Sequence, residues 1–446
     1  MHSEKVDVDF ILKPSWIIPV VPANKILSDH SIAIKNAKII SVHPSAENDK
    51  KFNCPLVITL NNEAVIPGFV NSHTHAAMTL LRGFADDIPL MEWLTRHIWP
   101  TEEKFISRQF VYDGSLLACA EMLRSGTTCF NDMYFFPGET GKAAIELGIR
   151  ACLGITVIEF PTNYASDPQD YLRKGLETRD KMRGEELIKF TLAPHSPYTV
   201  KDDTFKKIVM LSDQLQIPIH THLHETSLEL EESRKNYGKR PVARFEELGI
   251  LGPSFIGAHA VHLDQIEMAL LGQQGCSLAH CPASNLKLAS GVAQIGQWLQ
   301  HKINVGIGTD GAASNNSLDM IAEMKLASLL AKGTAMDPEV IPAHKAIEMA
   351  TLGGAKAVGL EESIGSIEVG KMADLISIDL GQIETQPMYD VASEIVYASG
   401  RDKVSNAWVN GVRVLNERKL TKISEESVYK KALLWRNKIG IEGKNA

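Results

Sequence analysis

Hydrophobic positions fall into two textures along the chain. From about Asp7 to Leu60 they come in short β-type runs, Phe10-Ile-Leu, Trp16-Ile-Ile-Pro-Val-Val, Ser31-Ile-Ala-Ile, Lys38-Ile-Ile-Ser-Val and Leu56-Val-Ile-Thr-Leu, broken by Pro, Asn and Lys. Such runs predict a small antiparallel sheet unit. The texture returns in Ala373-Asp-Leu-Ile-Ser-Ile-Asp, Glu394-Ile-Val-Tyr and Val404-Ser-Asn-Ala-Trp-Val, where Asn410-Gly411 between two β-rich runs signals a hairpin. Two β-rich ends around a different middle predict one discontinuous accessory β-sandwich, built from residues 1–64 and 366–446 and carrying a C-terminal helix.

The middle, residues 65–365, alternates strand-like runs with helical periodicity, which calls for a parallel sheet with helical crossovers. Eight strands are expected: Val65–His75, Thr127–Met133, Arg150–Glu159, Lys189–His195, Ile217–His222, Ser254–His259, Cys276–Cys281 and Ile303–Asp310. In the first intervening segment Leu116, Ala120 and Leu123 fall at helical spacing, and Ser125-Gly126 supplies a stop. Eight such units make a (β/α)8 barrel, in the α/β class. A doubly wound open sheet is the alternative, but it would want a Gly-rich phosphate loop after the first strand. That strand ends in histidines instead.

Composition narrows the picture without changing it. The 446 residues suffice for a large barrel plus an accessory unit, and 44% hydrophobic with 22% charged residues is ordinary globular usage. A net charge of −8, with no run of Lys and Arg longer than two, argues against a nucleic-acid partner. The start has acidic residues and no apolar core of a secretory signal, and no stretch reaches the length of a membrane span, so a cytoplasmic protein is expected. Six scattered cysteines without a C-x-x-C pair read as reduced core thiols.

The candidate chemistry lies where the expected strands end, because those ends converge on one face of a barrel. His73 and His75 project from one side of the first strand, His195 follows the fourth, His222 and Glu225 the fifth, His259 the sixth and Asp310 the eighth. Four potential metal ligands, His73, His75, His222 and Asp310, thus come together. A zinc-type catalytic site needs imidazole and carboxylate ligands, an open position for water, and a base nearby. Of the alternating His220, His222 and His224, the middle one is favoured as ligand; His220 would lie deeper and His224 beyond the strand. Glu225 is the candidate acid/base, with an early-helix carboxylate as the plain alternative. His259 could hold the attacking water or a developing oxyanion, and His262 is a weaker candidate. The fourth strand ends in Leu-Ala-Pro-His195-Ser-Pro, without the bridging Lys of a two-metal hydrolase, so a single metal is expected.

The stretches Pro-Gly-Phe-Val-Asn-Ser-His73-Thr-His75, His222-Leu-His-Glu225-Thr, His259-Ala-Val-His, His280-Cys-Pro-Ala-Ser-Asn285 and Gly308-Thr-Asp310-Gly-Ala-Ala-Ser-Asn-Asn occur in order over nearly the whole chain. In these the chain resembles the amidohydrolase superfamily, and within it the 5′-methylthioadenosine/S-adenosylhomocysteine deaminases and related triazine hydrolases. The resemblance implies one zinc per chain, with Fe2+ or Mn2+ as alternatives, held by His73, His75, His222 and Asp310. It implies that Glu225 shuttles protons, that His259 orients the attacking water, and that Glu102 binds the ribose hydroxyls. His195 and Arg150 match further substrate-contacting positions, as does Asp310. The family's second arginine has no clear counterpart, Arg173 being the nearest. The expected activity is hydrolytic deamination of an adenine nucleoside, a small-molecule substrate; no nucleic-acid or membrane partner is expected, and a homo-oligomer, dimer or tetramer, is. Deamination or dechlorination of guanine, a pterin or a triazine is the alternative on the same scaffold. A non-catalytic barrel protein would show broken ligands, and none is broken.

Overall fold

The structure, a computed structural model, describes residues 5–442; residues 1–4, part of the start from which the absence of a secretory signal was read, and residues 443–446 lie outside the described residues. Its organisation turns on Gly68. The stretch expected as one strand, Val65–His75, is two: Val57–Pro67 ends in the accessory sheet, and Phe69–Thr74 begins the barrel. The cause is local. A Cβ on Gly68 would lie 2.0 Å from Thr128 Oγ1, so only glycine lets the chain pass from one sheet to the other beside the second barrel strand.

Eight parallel strands follow in order around the barrel: Phe69–Thr74, Thr127–Asp132, Arg150–Val157, Ile188–Pro194, Ile219–Leu223, Phe255–His259, Ser277–His280 and Asn304–Ile307. The expected barrel is therefore present, with strand ends within a few residues of those read from the sequence. First and eighth strands meet through mixed contacts: Ser72 Oγ donates to the Ile307 carbonyl (2.8 Å), Asn71 Oδ1 accepts from Thr309 N (3.1 Å), and Asp310 N donates to the His73 carbonyl (3.0 Å). At Gly308 a Cβ would meet His73 N and O at 2.9 Å, which is why the seam carries glycine there.

The helix after the first strand, Arg108–Arg124, begins where the Ser107 hydroxyl accepts from Phe110 N, and buries Leu116, Ala120 and Leu123 as their spacing predicts. Gly126, at φ +89°, takes the left-handed turn out of it. Before this helix, Leu90–Glu92, Trp93–Ile98 and Trp99–Phe105 form consecutive helical segments that bury Trp93, Ile98 and Phe105.

Both ends of the chain build one nine-stranded sheet. Phe10–Ile17, Leu27–Ser28, His30–Lys35, Lys38–Pro44 and Val57–Pro67 come from the N-terminal side, and Leu375–Asp379, Val404–Val409, Val412–Asn416 and Lys419–Leu420 from the C-terminal side. They join where Ile66 pairs with Ile376. Asn410 and Gly411 both have positive φ, 50° and 72°, the two-residue hairpin turn expected of that dipeptide. Leu12, Ile32, Leu375 and Trp408 pack under the sheet. The helix Glu425–Glu442 returns to the barrel's Arg108–Arg124, with Trp435 edge-on to Phe110 (centroids 5.2 Å apart) and its Nε1 donating to Asp113 (3.0 Å). All six cysteines are free, and among the described residues no helix is long and apolar enough to cross a membrane.

Candidate active site

At the C-terminal mouth of the barrel, one ligand atom from each of His73, His75, His222 and Asp310 lies within 4.8 Å of the others. Each imidazole has its Nδ1 occupied. His75 Nδ1 donates to the Met133 carbonyl (2.6 Å), His222 Nδ1 donates to the His195 carbonyl (2.6 Å), and His73 Nδ1 is paired with His220 Nε2 (2.9 Å). Nε2 of each ring is thereby left to face the centre. Asp310 is split in the same way: Oδ2 accepts from the Ser284 and Ser314 hydroxyls, both at 2.6 Å, while Oδ1 faces His73 Nε2 at 3.4 Å and His75 Nε2 at 3.2 Å. Four donors in tetrahedral array about 2.1 Å from a zinc ion stand about 3.4 Å apart. His75 Nε2 to His222 Nε2 is 3.3 Å, and buried His73 Nε2 has no hydrogen-bond partner. The donor set fits one ion.

The electrostatics fit as well. Burial pushes His73 down to about 4 and His222 well below the ordinary imidazole range, so both are neutral and ligand-competent. Burial alone would raise Asp310, but the neighbouring His73 and His75 imidazoles outweigh it and hold the carboxyl well below the usual range. His75 goes the other way: burial would lower it, yet the neighbouring Asp310 carboxylate raises it to about 9.

Around the cluster opens a cavity of about 520 Å³, and Glu225, His259, His195 and Glu102 all line it. Glu225 is buried just before the helix Ser227–Tyr237, whose N-cap is Thr226; its backbone N–H donates to Glu229 Oε2 (3.1 Å), and burial raises its carboxyl. His259 sits in a left-handed backbone conformation, φ 69°, with Nδ1 on Asn285 Oδ1 (2.8 Å) and Nε2 unpartnered. His224, Ala260 and Asp310 also have positive φ, so backbone strain gathers at these strand ends. His195, its Nδ1 on Thr199 Oγ1 (3.1 Å), is pushed down to about 3 by burial. Glu102 Oε1 accepts from the Tyr134 hydroxyl (2.6 Å), and burial lifts its carboxyl to about 7.

Arg150 is not part of this assembly. It is the first residue of its strand, at the opposite mouth of the barrel, where Nε and Nη2 clasp Asp374 Oδ2 and Oδ1 at 2.9 and 3.1 Å. The substrate contact expected for it is corrected to a buried ion pair between barrel and accessory sheet. Arg173 lies on the surface between Asp170 and Glu177. His224 lies just past its strand end, fully buried, accepting from Val242 N (3.3 Å), and His262 pairs with the Ser290 carbonyl.

Several contributors escaped the sequence reading. Ser284, in Pro-Ala-Ser-Asn, and Ser314, in Ala-Ala-Ser-Asn, orient Asp310 and could have been suspected from their place after strand ends. Asp132 accepts from Ala76 N (2.7 Å), fixing the turn that follows His75. The cavity's outer wall, with Trp93, Leu94, Ile98 and Trp99, had no signal beyond an apolar run.

The amidohydrolase family model matches residues 64–414. A 5-methylthioadenosine/S-adenosylhomocysteine deaminase of Teredinibacter turnerae is 45% identical over 97% of this chain and 98% of its own. The crystal structure of an adenosine deaminase from Xanthomonas campestris with bound zinc superposes with a TM-score of 0.97 at 42% identity, covering 98% of this chain and 100% of that one. An atrazine chlorohydrolase from Arthrobacter aurescens, 22% identical with a TM-score of 0.88 over 96% of this chain and 99% of its own, shares the fold. The chain belongs to the amidohydrolase family, and within it stands with the proteins named 5-methylthioadenosine/S-adenosylhomocysteine deaminase.

Proposed function

We propose that this protein is a zinc-dependent aminohydrolase that deaminates an adenine nucleoside, 5′-methylthioadenosine, S-adenosylhomocysteine or adenosine, to the inosine analogue and ammonia. The observation that carries the reading is the convergence of three imidazoles and one carboxylate on the floor of a cavity that also holds a buried, unliganded Glu225. The activities named for the Teredinibacter and Xanthomonas proteins, at over 40% identity across the whole chain, support the nucleoside class.

His73, His75, His222 and Asp310 would hold the ion. Bound there, zinc supplies a Lewis acid that brings the pKa of water towards ~7. Glu225 takes a proton from the attacking water and passes it to purine N1, then delivers a proton to the departing amino group. A C6–O bond forms, the C6–N bond breaks, and ammonia leaves. His259, its Nδ1 engaged by Asn285, turns its free Nε2 to the attacking water and orients it. His195, kept neutral by burial, contacts the purine without adding charge. Glu102 accepts from the ribose hydroxyls with the oxygen that Tyr134 leaves free. Six unpaired cysteines fit a reducing, cytoplasmic setting.

An ammonia-release screen of adenosine, 5′-methylthioadenosine, S-adenosylhomocysteine, guanine and simple triazines tests the reaction; turnover confined to guanine or triazines would overturn it. Dialysis against a chelator is expected to abolish ammonia release, with one equivalent of zinc per chain restoring it. If activity survives with less than a tenth of an equivalent of metal, the metal-dependent reading fails. Glu102→Ala separates a nucleoside from a bare heterocycle. Losing a buried acceptor for two hydroxyls should raise KM for nucleosides by roughly 100-fold with a smaller change in kcat. An unchanged KM would remove the ribose contact.

A further inference from the structure

With the purine at the metal ligands and the ribose at Glu102, the 5′ substituent of a bound nucleoside must occupy the outer half of the cavity. Leu94, Ile98, Trp99 and Phe160 line that half; the Trp99 and Phe160 rings stand 6.1 Å apart at 59°, and Phe160, 41% exposed, marks the rim. The charged residues lining the whole cavity, among the described residues, are Glu102, Glu103, Glu225 and Asp310, all acidic. No lysine or arginine lines it. The two arginines considered for the substrate are spent elsewhere, Arg150 on Asp374 and Arg173 on Asp170 and Glu177.

This bears on the tails that distinguish the candidate substrates. A methylthio group is apolar, and its sulfur gains from contact with aromatic rings. An amino-acid tail brings a carboxylate that would lose water against the negative faces of Trp99 and Phe160, beside two glutamates, with no cation lining the cavity to replace its hydration. Glu103 at the rim could meet the tail's ammonium, yet the carboxylate stays unpaired.

Resting on the deaminase reading above, we propose that the outer half of the cavity selects uncharged, apolar 5′ substituents, so that 5′-methylthioadenosine is a substrate and S-adenosylhomocysteine, with its zwitterionic tail, is strongly disfavoured. The selectivity is set by Trp99, Phe160, Leu94 and Ile98 together with Glu102 and Glu103.

The test is kcat/KM of the zinc-loaded enzyme for adenosine, 5′-methylthioadenosine, 5′-butylthioadenosine and S-adenosylhomocysteine. The butyl compound carries a four-carbon tail like that of homocysteine but no charge. It is expected within about tenfold of the methylthio compound, and S-adenosylhomocysteine roughly 100-fold below both. S-adenosylhomocysteine turned over within about threefold of 5′-methylthioadenosine would overturn the proposal and leave the deaminase reading intact. Equal losses for the butyl compound and S-adenosylhomocysteine would also overturn it, since length and not charge would then decide. Failure to release ammonia from any of the four would instead bring down the deaminase reading itself.

Discussion

Glu225→Gln is expected to lower kcat by about 10³-fold or more while the protein still carries one zinc per chain. The magnitude follows from what a positioned general acid and base contributes, roughly 10²- to 10⁴-fold, and in the proposed mechanism one carboxylate serves more than one proton transfer. The substitution keeps shape and leaves the local backbone alone, because Glu225 is held by its main-chain N–H on Glu229 and, among the described residues, by no side-chain hydrogen bond. Metal retention follows from the separation of roles: Glu225 lines the cavity but is not among the four residues whose ligand atoms converge. Burial lifts its carboxyl above the ordinary range, the direction the proposed role of taking and giving protons calls for. Ammonia release at saturating substrate, with zinc measured on the same sample, decides the matter. A variant within tenfold of the parent would assign the proton transfers to another group, and loss of zinc together with activity would make Glu225 part of the metal site.

Much of this site was legible because two regularities coincide. Alternation along a strand put His73 and His75 on one side, and the barrel rule put the ends of distant strands together; both depend on spacing and order alone. That is why His222, His259 and Asp310 could be named from the sequence, and why the structure gathers them around one centre. What stayed hidden depends on contacts between segments far apart in the chain. Pro67-Gly68 is a break signal within Val65–His75, but the reason only glycine fits there, Thr128 on the neighbouring strand, lies outside the stretch. The outer wall from Trp93 to Trp99 reads equally as core, and only the fold turns part of it towards the cavity. His220, read as a barrel histidine lying deeper, is bonded directly to His73, and that partner lies outside any local pattern.

Arg150 shows the cost of carrying a role by resemblance without asking which end of the strand the residue occupies. As the first residue of Arg150–Val157 it lies at the mouth opposite the catalytic cluster, and its guanidinium is 6% exposed against an Asp374 carboxylate that is 1% exposed. Asp374 stands immediately before the strand Leu375–Asp379 and also accepts from Asn410 N (2.7 Å), so the pair ties the barrel to the accessory sheet and its hairpin. Removing one partner of a buried pair leaves the other charge without compensation, at about 3–5 kcal/mol. Arg150→Met is therefore expected to lower the free energy of unfolding measured in urea by an amount of that order, with a matching fall in the midpoint, and pairing it with Asp374→Leu to recover part of the loss, since an apolar pair leaves no stranded charge. The folded fraction of Arg150→Met should keep KM for its nucleoside substrate within about threefold, because the side chain does not line the cavity. Urea unfolding and steady-state kinetics on the same preparations discriminate: a tenfold rise in KM with an unchanged unfolding midpoint would return Arg150 to the substrate, and a loss of stability with intact KM keeps it as the joint between the two sheets.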